Sequence, residues 1–191
     1  MSIATRVILT VPHAKCLSNP PLKSHLCDTA APKAADEMLN VFKILKIPVA
    51  LHKATTNRVI SDMNRPESRE SSWRQAIISA QKNVQVKLVL DVHSFNVNRE
   101  PPWDDLDLGI MTLGPPQQWH VDMIKHFNAY YPQYRVKHIE GSYLNDIMFV
   151  ADQMGLPTAL LEFSESLDSA NLFLLCSIVA SFTKIYFDLT N

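Results

Sequence analysis

Apolar and polar positions along this chain switch repeatedly between a strand-like and a helix-like pattern. "RVILTV" (6 to 11) is β-branched and apolar and predicts a first strand. "PKAADEMLNVFKIL" (32 to 45) sets Ala35, Met38, Leu39, Phe42 and Leu45 at helical spacing, with Pro32 at a first helical position. "VALHK" (49 to 53) predicts a short strand, "SSWRQAIISAQKN" (71 to 83) a helix, and "VKLVLDVH" (86 to 93) the central strand. "LGIMTL" (108 to 113) predicts a strand, 117 to 131 a helix, and the alternating "YRVKHIE" (134 to 140) a more exposed strand. "YLNDIMFVADQMG" (143 to 155) reads as a helix closed by Gly155, and "TALLEF" (158 to 163) as the last strand before an apolar terminal helix. The alternation predicts an α/β fold of three layers, α/β/α, with helices on both faces of a mixed, mostly parallel central sheet.

Composition narrows this further. At 191 residues and 47% hydrophobic, one domain over 1 to 191 is expected. Eighteen basic against nineteen acidic residues give a formal charge of −1, and no Lys/Arg run tracks a phosphate backbone, so nucleic acid is not an expected partner. The apolar run at the N-terminus is too soon interrupted by Pro12 and His13 for a signal peptide. Cys16, Cys27 and Cys176 are odd in number and lack paired metal-finger spacing, which fits a reducing, cytoplasmic location. "ANLFLLCSIVASFTKIYF" (170 to 187) carries Asn171, Ser177, Ser181 and Lys184, and is expected to be a buried helix with no membrane partner. With four glycines and no Gly-rich phosphate loop, a nucleotide cofactor has no support, and the oligomeric state stays open.

The strand ends carry the candidate chemistry. In open α/β sheets ligands sit outside the carboxyl ends of the strands. There the chain places Pro12-His13-Ala14-Lys15-Cys16, Asp91-Val92-His93-Ser94 and Glu162-Phe163-Ser164-Glu165, with the polar segment "NRVISDMNRPESR" (57 to 69) between them. Two histidines with a thiol or carboxylate suit a zinc ion that keeps one position open for water. A lone histidine is more often a surface or satisfied core residue, but these two have carboxylate neighbours. Asp91 and His93, two apart, point the same way, so Asp91 can hold His93 by its other ring nitrogen. His25, His52, His120, His126 and His138 lack such context and read as structural or solvated. Arg65 presents a fork suited to a carboxylate, with Asn64 as a further donor; the alternative is a surface ion pair with Asp62 or Glu67. Arg58 and Arg69 are spare cations, with Arg58 favoured to stabilise an oxyanion. Glu162 ends an apolar strand, where a carboxylate is costly unless it has a partner or a task. The loop "NVNREPPWDDLD" (96 to 107) either walls this site or is a solvated connection.

"VPHAKC", "DMNRP", "LVLDVHSF" and "ALLEF", in this order, resemble the motifs of the N-formylglutamate amidohydrolases, relatives of the zinc carboxypeptidases and aspartoacylases. The resemblance spans about residues 8 to 165 and implies a zinc-carboxypeptidase-like fold. It implies that His13 and His93 bind the metal, that Asn64 and Arg65 hold the substrate's α-carboxylate, and that Glu162 is the general base. "GSYLNDIMF" (141 to 149) is similar to a stretch bordering the carboxypeptidase pocket, which would make Gly141 and Ser142 substrate-binding. One departure stands out: carboxypeptidases and aspartoacylases carry His-x-x-Glu in the first motif, and Cys16 occupies the fourth position here. A thiolate is a competent zinc ligand. Cys16 is therefore the expected third ligand, with Asp28 and Asp36 as alternatives. The implied activity is zinc-dependent cleavage of a small N-acyl amino acid with a free carboxylate, first N-formyl-L-glutamate to formate and glutamate. A carboxypeptidase or an aspartoacylase-like deacylase are the rival enzymes, and a catalytically silent binding protein is the rival that Cys16 raises.

Overall fold

The computed structural model describes residues 5–15, 28–58, 60–96, 103, 105–141 and 144–189. Its elements follow the order β1 (Val7–Val11), α1 (Ala31–Ile44), β2 (Val49–Lys53), α2 (Ser72–Gln81), β3 (Leu88–Phe95), β4 (Leu108–Leu113), α3 (Gln118–Tyr130), β5 (Val136–Gly141), α4 (Asp146–Gln153), β6 (Thr158–Ser164) and α5 (Ser169–Tyr186). The six strands form one sheet in the order β2-β1-β3-β6-β4-β5. Pairings β1–β2, β1–β3, β3–β6 and β4–β5 are parallel, and β4 pairs with β6 antiparallel. The fold is thus three-layered α/β/α with a mixed, mostly parallel sheet, as expected.

Residue alternation along the central strands assigns the layers. Val7, Leu9 and Val11 of β1, Leu88, Leu90 and Val92 of β3, and Ala159, Leu161 and Phe163 of β6 share one core with α1, α3 and α5. Ile8 of β1 and Val89 of β3 turn the other way and pack with Ile147 and Ala151 of α4 and Trp73 and Ala80 of α2. Asp91, His93 and Glu162 share the parity of this second face, so the face that is apolar near the strand starts becomes polar toward their carboxyl ends.

Helix ends are set by local chemistry. Ser71 accepts from the Arg74 N–H at the start of α2, and Asp168 from the Asn171 N–H at the start of α5. Helix α4 starts at Asp146, later than its apolar pattern predicts. Two of its first N–H groups are taken from outside the helix, Asp146 N–H by the Asn64 carbonyl at 3.2 Å and Ile147 N–H by Asn64 Oδ1 at 3.2 Å. After α4, Gly155 has φ +70°, a conformation that glycine adopts without steric cost. The terminal helix α5 buries Leu172, Leu175, Cys176, Ile178 and Val179 against the core. By length and composition alone it is also apolar enough to cross a membrane, and Phe173, Ile185 and Tyr186 lie on its exposed side.

Candidate metal centre

Chain connectivity opens a crevice between β1 and β3. From β1 the chain crosses through α1 outward to β2, whereas β3 continues the sheet on the other side. Side chains at the carboxyl ends of two such strands face the gap where the chain's direction across the sheet reverses. His13 follows β1 by two residues, and His93 lies near the end of β3, directly in register with Glu162 of β6.

Into this crevice the segment before α1 brings Asp28. Its Oδ2 lies 3.2 Å from His13 Nδ1 and 2.8 Å from His93 Nδ1. The three donor atoms are within 4.8 Å of one another, and all three residues are buried. Tetrahedral zinc with bonds of about 2.0–2.1 Å separates neighbouring donors by roughly 3.3 Å, so the Asp28–histidine spacings and the His₂-carboxylate chemistry are compatible with a metal ion. The segment is tied to the ends of β3 and β6. Thr29 N–H donates to Glu165 Oε1 at 2.8 Å, Ala30 N–H to Ser94 Oγ at 3.1 Å, and Ser94 Oγ–H to the same Glu165 oxygen at 3.0 Å.

Both histidines have their far nitrogens held. His13 Nε2 is 2.8 Å from Asp62 Oδ1, and His93 Nε2 is 3.1 Å from Asp91 Oδ2. In the tautomer with the proton on Nε2, each Nδ1 would be free to ligate a cation beside Asp28. Asp91 is fixed in turn by the Thr10 hydroxyl at 2.6 Å and by the Asn64 amide at 3.1 Å. Behind this, the fully buried Asp146 pairs with Arg69 and Arg74. Burial works to raise the Asp28 carboxyl, but its contacts with the two histidines prevail and hold it well below the usual carboxylate range. Burial likewise pushes the His93 imidazole down, and the charges of Asp91 and Asp28 reverse this, holding it well above its ordinary value. The carboxylates that favour the charged form of His93 would equally favour a divalent cation beside it.

Most residues expected from the sequence fall within the described part of the chain. Arg58, Asn64, Arg65 and Glu162 line the same cleft as His13, Asp28 and His93, together with Ser94, Met111, Asn145 and Leu160. Glu162 is 7% exposed, at the cleft wall. Arg58 Nε donates to Asp62 Oδ2 at 3.0 Å, and Arg65 lies 3.6 Å from the same oxygen while also donating to the Leu144 carbonyl. Asn64 lines the cleft beside Arg65, and its amide nitrogen is also engaged by Asp91 and its oxygen by the start of α4, so it ties the framework of the site together. Gly141 is absent from the cleft lining. A Cβ there would come within 2.7 Å of Met111 Cγ, so its lack of a side chain makes room for a residue that does line the cleft. Cys16 and Ser142 lie outside the described residues, as does most of the 96 to 107 loop. Of the alternative third ligands, Asp28 is at the centre, whereas Asp36 pairs with Lys53 on α1's exposed side.

Asp62, Glu165 and the role of Ser94 were not apparent from the sequence. Asp62 reads as the partner of a neighbouring arginine, and its tie to His13 bridges 49 positions that no spacing rule connects.

Fold and site together define an open three-layer α/β protein with a candidate metal centre at the strand ends. No family model matches the chain, and no curated protein does. Among solved structures it is similar to gene product Atu2144 from Agrobacterium tumefaciens, with TM-score 0.69 and 16% identity over 96% of this chain and 91% of that one. It is also similar to Helicobacter pylori Csd4, a D,L-carboxypeptidase, with TM-score 0.62 and 14% identity over 98% of this chain and 52% of that one. A third similar structure is the N-acetylmuramoyl-L-alanine amidase AmiC2 of Nostoc punctiforme, with TM-score 0.62 and 10% identity over 96% and 97% of the two chains. The likeness at these identities is one of fold, and the chain spans about half the length of Csd4.

Proposed function

We propose that this protein is a zinc-dependent amidohydrolase that cleaves a small N-acyl amino acid, with N-formyl-L-glutamate as the first substrate to test. The observation that carries the reading is the convergence of His13 Nδ1, Asp28 Oδ2 and His93 Nδ1 in a cleft that also holds Glu162, Arg58 and Arg65. His13, Asp28 and His93 hold the metal in this reading. Zinc in such a site polarises a carbonyl and acidifies a water at neutral pH. Glu162 takes the water's proton and delivers it to the departing amine, as general base and then acid. Arg65 clamps the substrate carboxylate, and Arg58 lies near enough to Asp62 and the cleft to offset charge developing on the attacked carbonyl. Asp62 and Asp91 keep both imidazoles in the tautomer that leaves Nδ1 free to ligate.

The order of the Pro-His, Asn-Arg, Asp-x-His-Ser and strand-Glu motifs supports the deformylase substrate, and the described carboxypeptidase and amidase neighbours support amide hydrolysis in general. Those neighbours also favour a second reading, hydrolysis of an amide bond in a cell-wall peptide. Formate release from N-formyl-L-glutamate by zinc-loaded protein, absent in Glu162→Gln, is the expected result. No formate release, together with cleavage of a muramoyl-peptide amide or a terminal peptide bond, would replace the first reading by the second.

A further inference from the structure

The two metal-facing histidines are backed by carboxylates with different surroundings. Asp91, behind His93, is fully buried and accepts from two uncharged groups, the Thr10 hydroxyl and the Asn64 amide. Asp62, behind His13, is partly exposed and is shared: Oδ1 takes His13 Nε2 at 2.8 Å, while Oδ2 takes Arg58 Nε at 3.0 Å and has Arg65 Nε at 3.6 Å. The arginines that face incoming substrate therefore draw on the same carboxylate that makes His13 a better ligand.

Building on the metal-centre reading, we propose that Asp62 is a positioning residue coupling the cleft arginines to His13, so that a carboxylate held by those arginines tightens the metal site. A guanidinium on one oxygen of a carboxylate lowers the charge that the other oxygen offers to the imidazole. A substrate carboxylate gives the arginines a second acceptor and returns that charge to His13. His13 Nε2 then faces a more strongly charged acceptor, which strengthens Nδ1 as a metal ligand. By linkage the metal strengthens carboxylate binding by the same factor. Arg58 lies four positions from Asp62 and Arg65 three, so the exchange requires only side-chain movement. His93 has no equivalent, because the donors on Asp91, the Thr10 hydroxyl and the Asn64 amide, are uncharged.

The test is a double-mutant cycle on zinc affinity, measured by chelator competition for the full chain, Arg58→Met, Asp62→Asn and the double variant. Asp62→Asn is expected to weaken zinc by about 10–100-fold, as loss of a carboxylate behind a ligating histidine does. Arg58→Met, by freeing Asp62, is expected to tighten zinc about tenfold, within the coupling seen for groups sharing one ion-pair network. In the Asp62→Asn background that gain should vanish. A gain that persists without Asp62 shows simple repulsion between the arginine and the metal and overturns the proposal, as does no gain at all. The visible spectrum of the cobalt-substituted protein gives a readout that stability does not move: it should shift on Arg58→Met only when Asp62 is present. Circular dichroism checks that all four proteins fold. If the wild-type protein binds no zinc, the metal-centre reading fails and takes this coupling with it; zinc bound with purely additive effects overturns the coupling alone.

Discussion

The two faces of the central sheet are built from the same strands by alternate residues, and they do different work. On the side of α1, α3 and α5, the β1, β3 and β6 positions are apolar along their length, from Val7 to Val11, Leu88 to Val92 and Ala159 to Phe163. On the side of α2 and α4 the same strands begin with Ile8 and Val89 and end in Thr10, Asp91, His93 and Glu162. One face supplies most of the burial that holds the fold together. The other gives up apolar area near the strand ends, where His and carboxylate side chains must instead be satisfied by one another. The polar end tolerates this because almost every group there has a named partner, as in the Thr10–Asp91–His93 chain.

Neighbouring residues on β6 provide the sharpest way to separate the faces. Glu162→Gln should reduce amide hydrolysis by about 10²–10⁴-fold, with zinc content and melting temperature little changed. Phe163→Ala, one residue on and fully buried in the apolar core, should cost about 3–5 kcal/mol in stability, with activity per folded molecule retained. Turnover and denaturant unfolding of both variants would blur the comparison if either change moved both quantities.

A smaller effect comes from the apolar face. His120 stacks on Trp119, accepts from the Gln117 N–H and reaches the Thr158 carbonyl through Nε2. Burial pushes its imidazole down from 6.5 to about 4. The unfolded chain therefore takes up a proton that the folded chain refuses: stability is fully present above about pH 6.5 and falls as the pH drops toward 4, by up to about 3 kcal/mol. His120→Gln should flatten that part of the stability profile, and an unchanged acid slope would remove His120 as its source. Smaller still, Asp91→Asn should weaken zinc by about 10–100-fold, equivalent to about 1.4–2.7 kcal/mol. Metal titration of that variant checks it, and unchanged affinity would show that Asp91 does not orient His93.

The apolar face is the part most legible in the sequence. Among the described residues each strand and α-helix was indicated by the sequence pattern, because burial on one or two faces leaves a repeating trace. The insertion of β4 between β6 and β5, antiparallel to β6, has no such trace, since strand order depends on contacts between distant segments. The candidate site divides in the same way. His13, His93, Asp91 and Glu162 lie at strand ends and show up as polar residues closing apolar runs. Asp28 and Asp62 reach the centre only through the folding of the segment before α1 and of the 57 to 69 loop, so no local spacing marks them. Asn64 was visible as a polar motif residue, but its backbone tie to α4 could not be read from spacing.

Zinc stoichiometry of the wild-type protein and of Asp28→Ala, His93→Ala and Cys16→Ser tests the central claim most directly. The account predicts about one zinc per chain, lost in Asp28→Ala and His93→Ala and kept in Cys16→Ser. A wild type that takes up no zinc, or zinc that survives loss of Asp28 and disappears with Cys16, would contradict it.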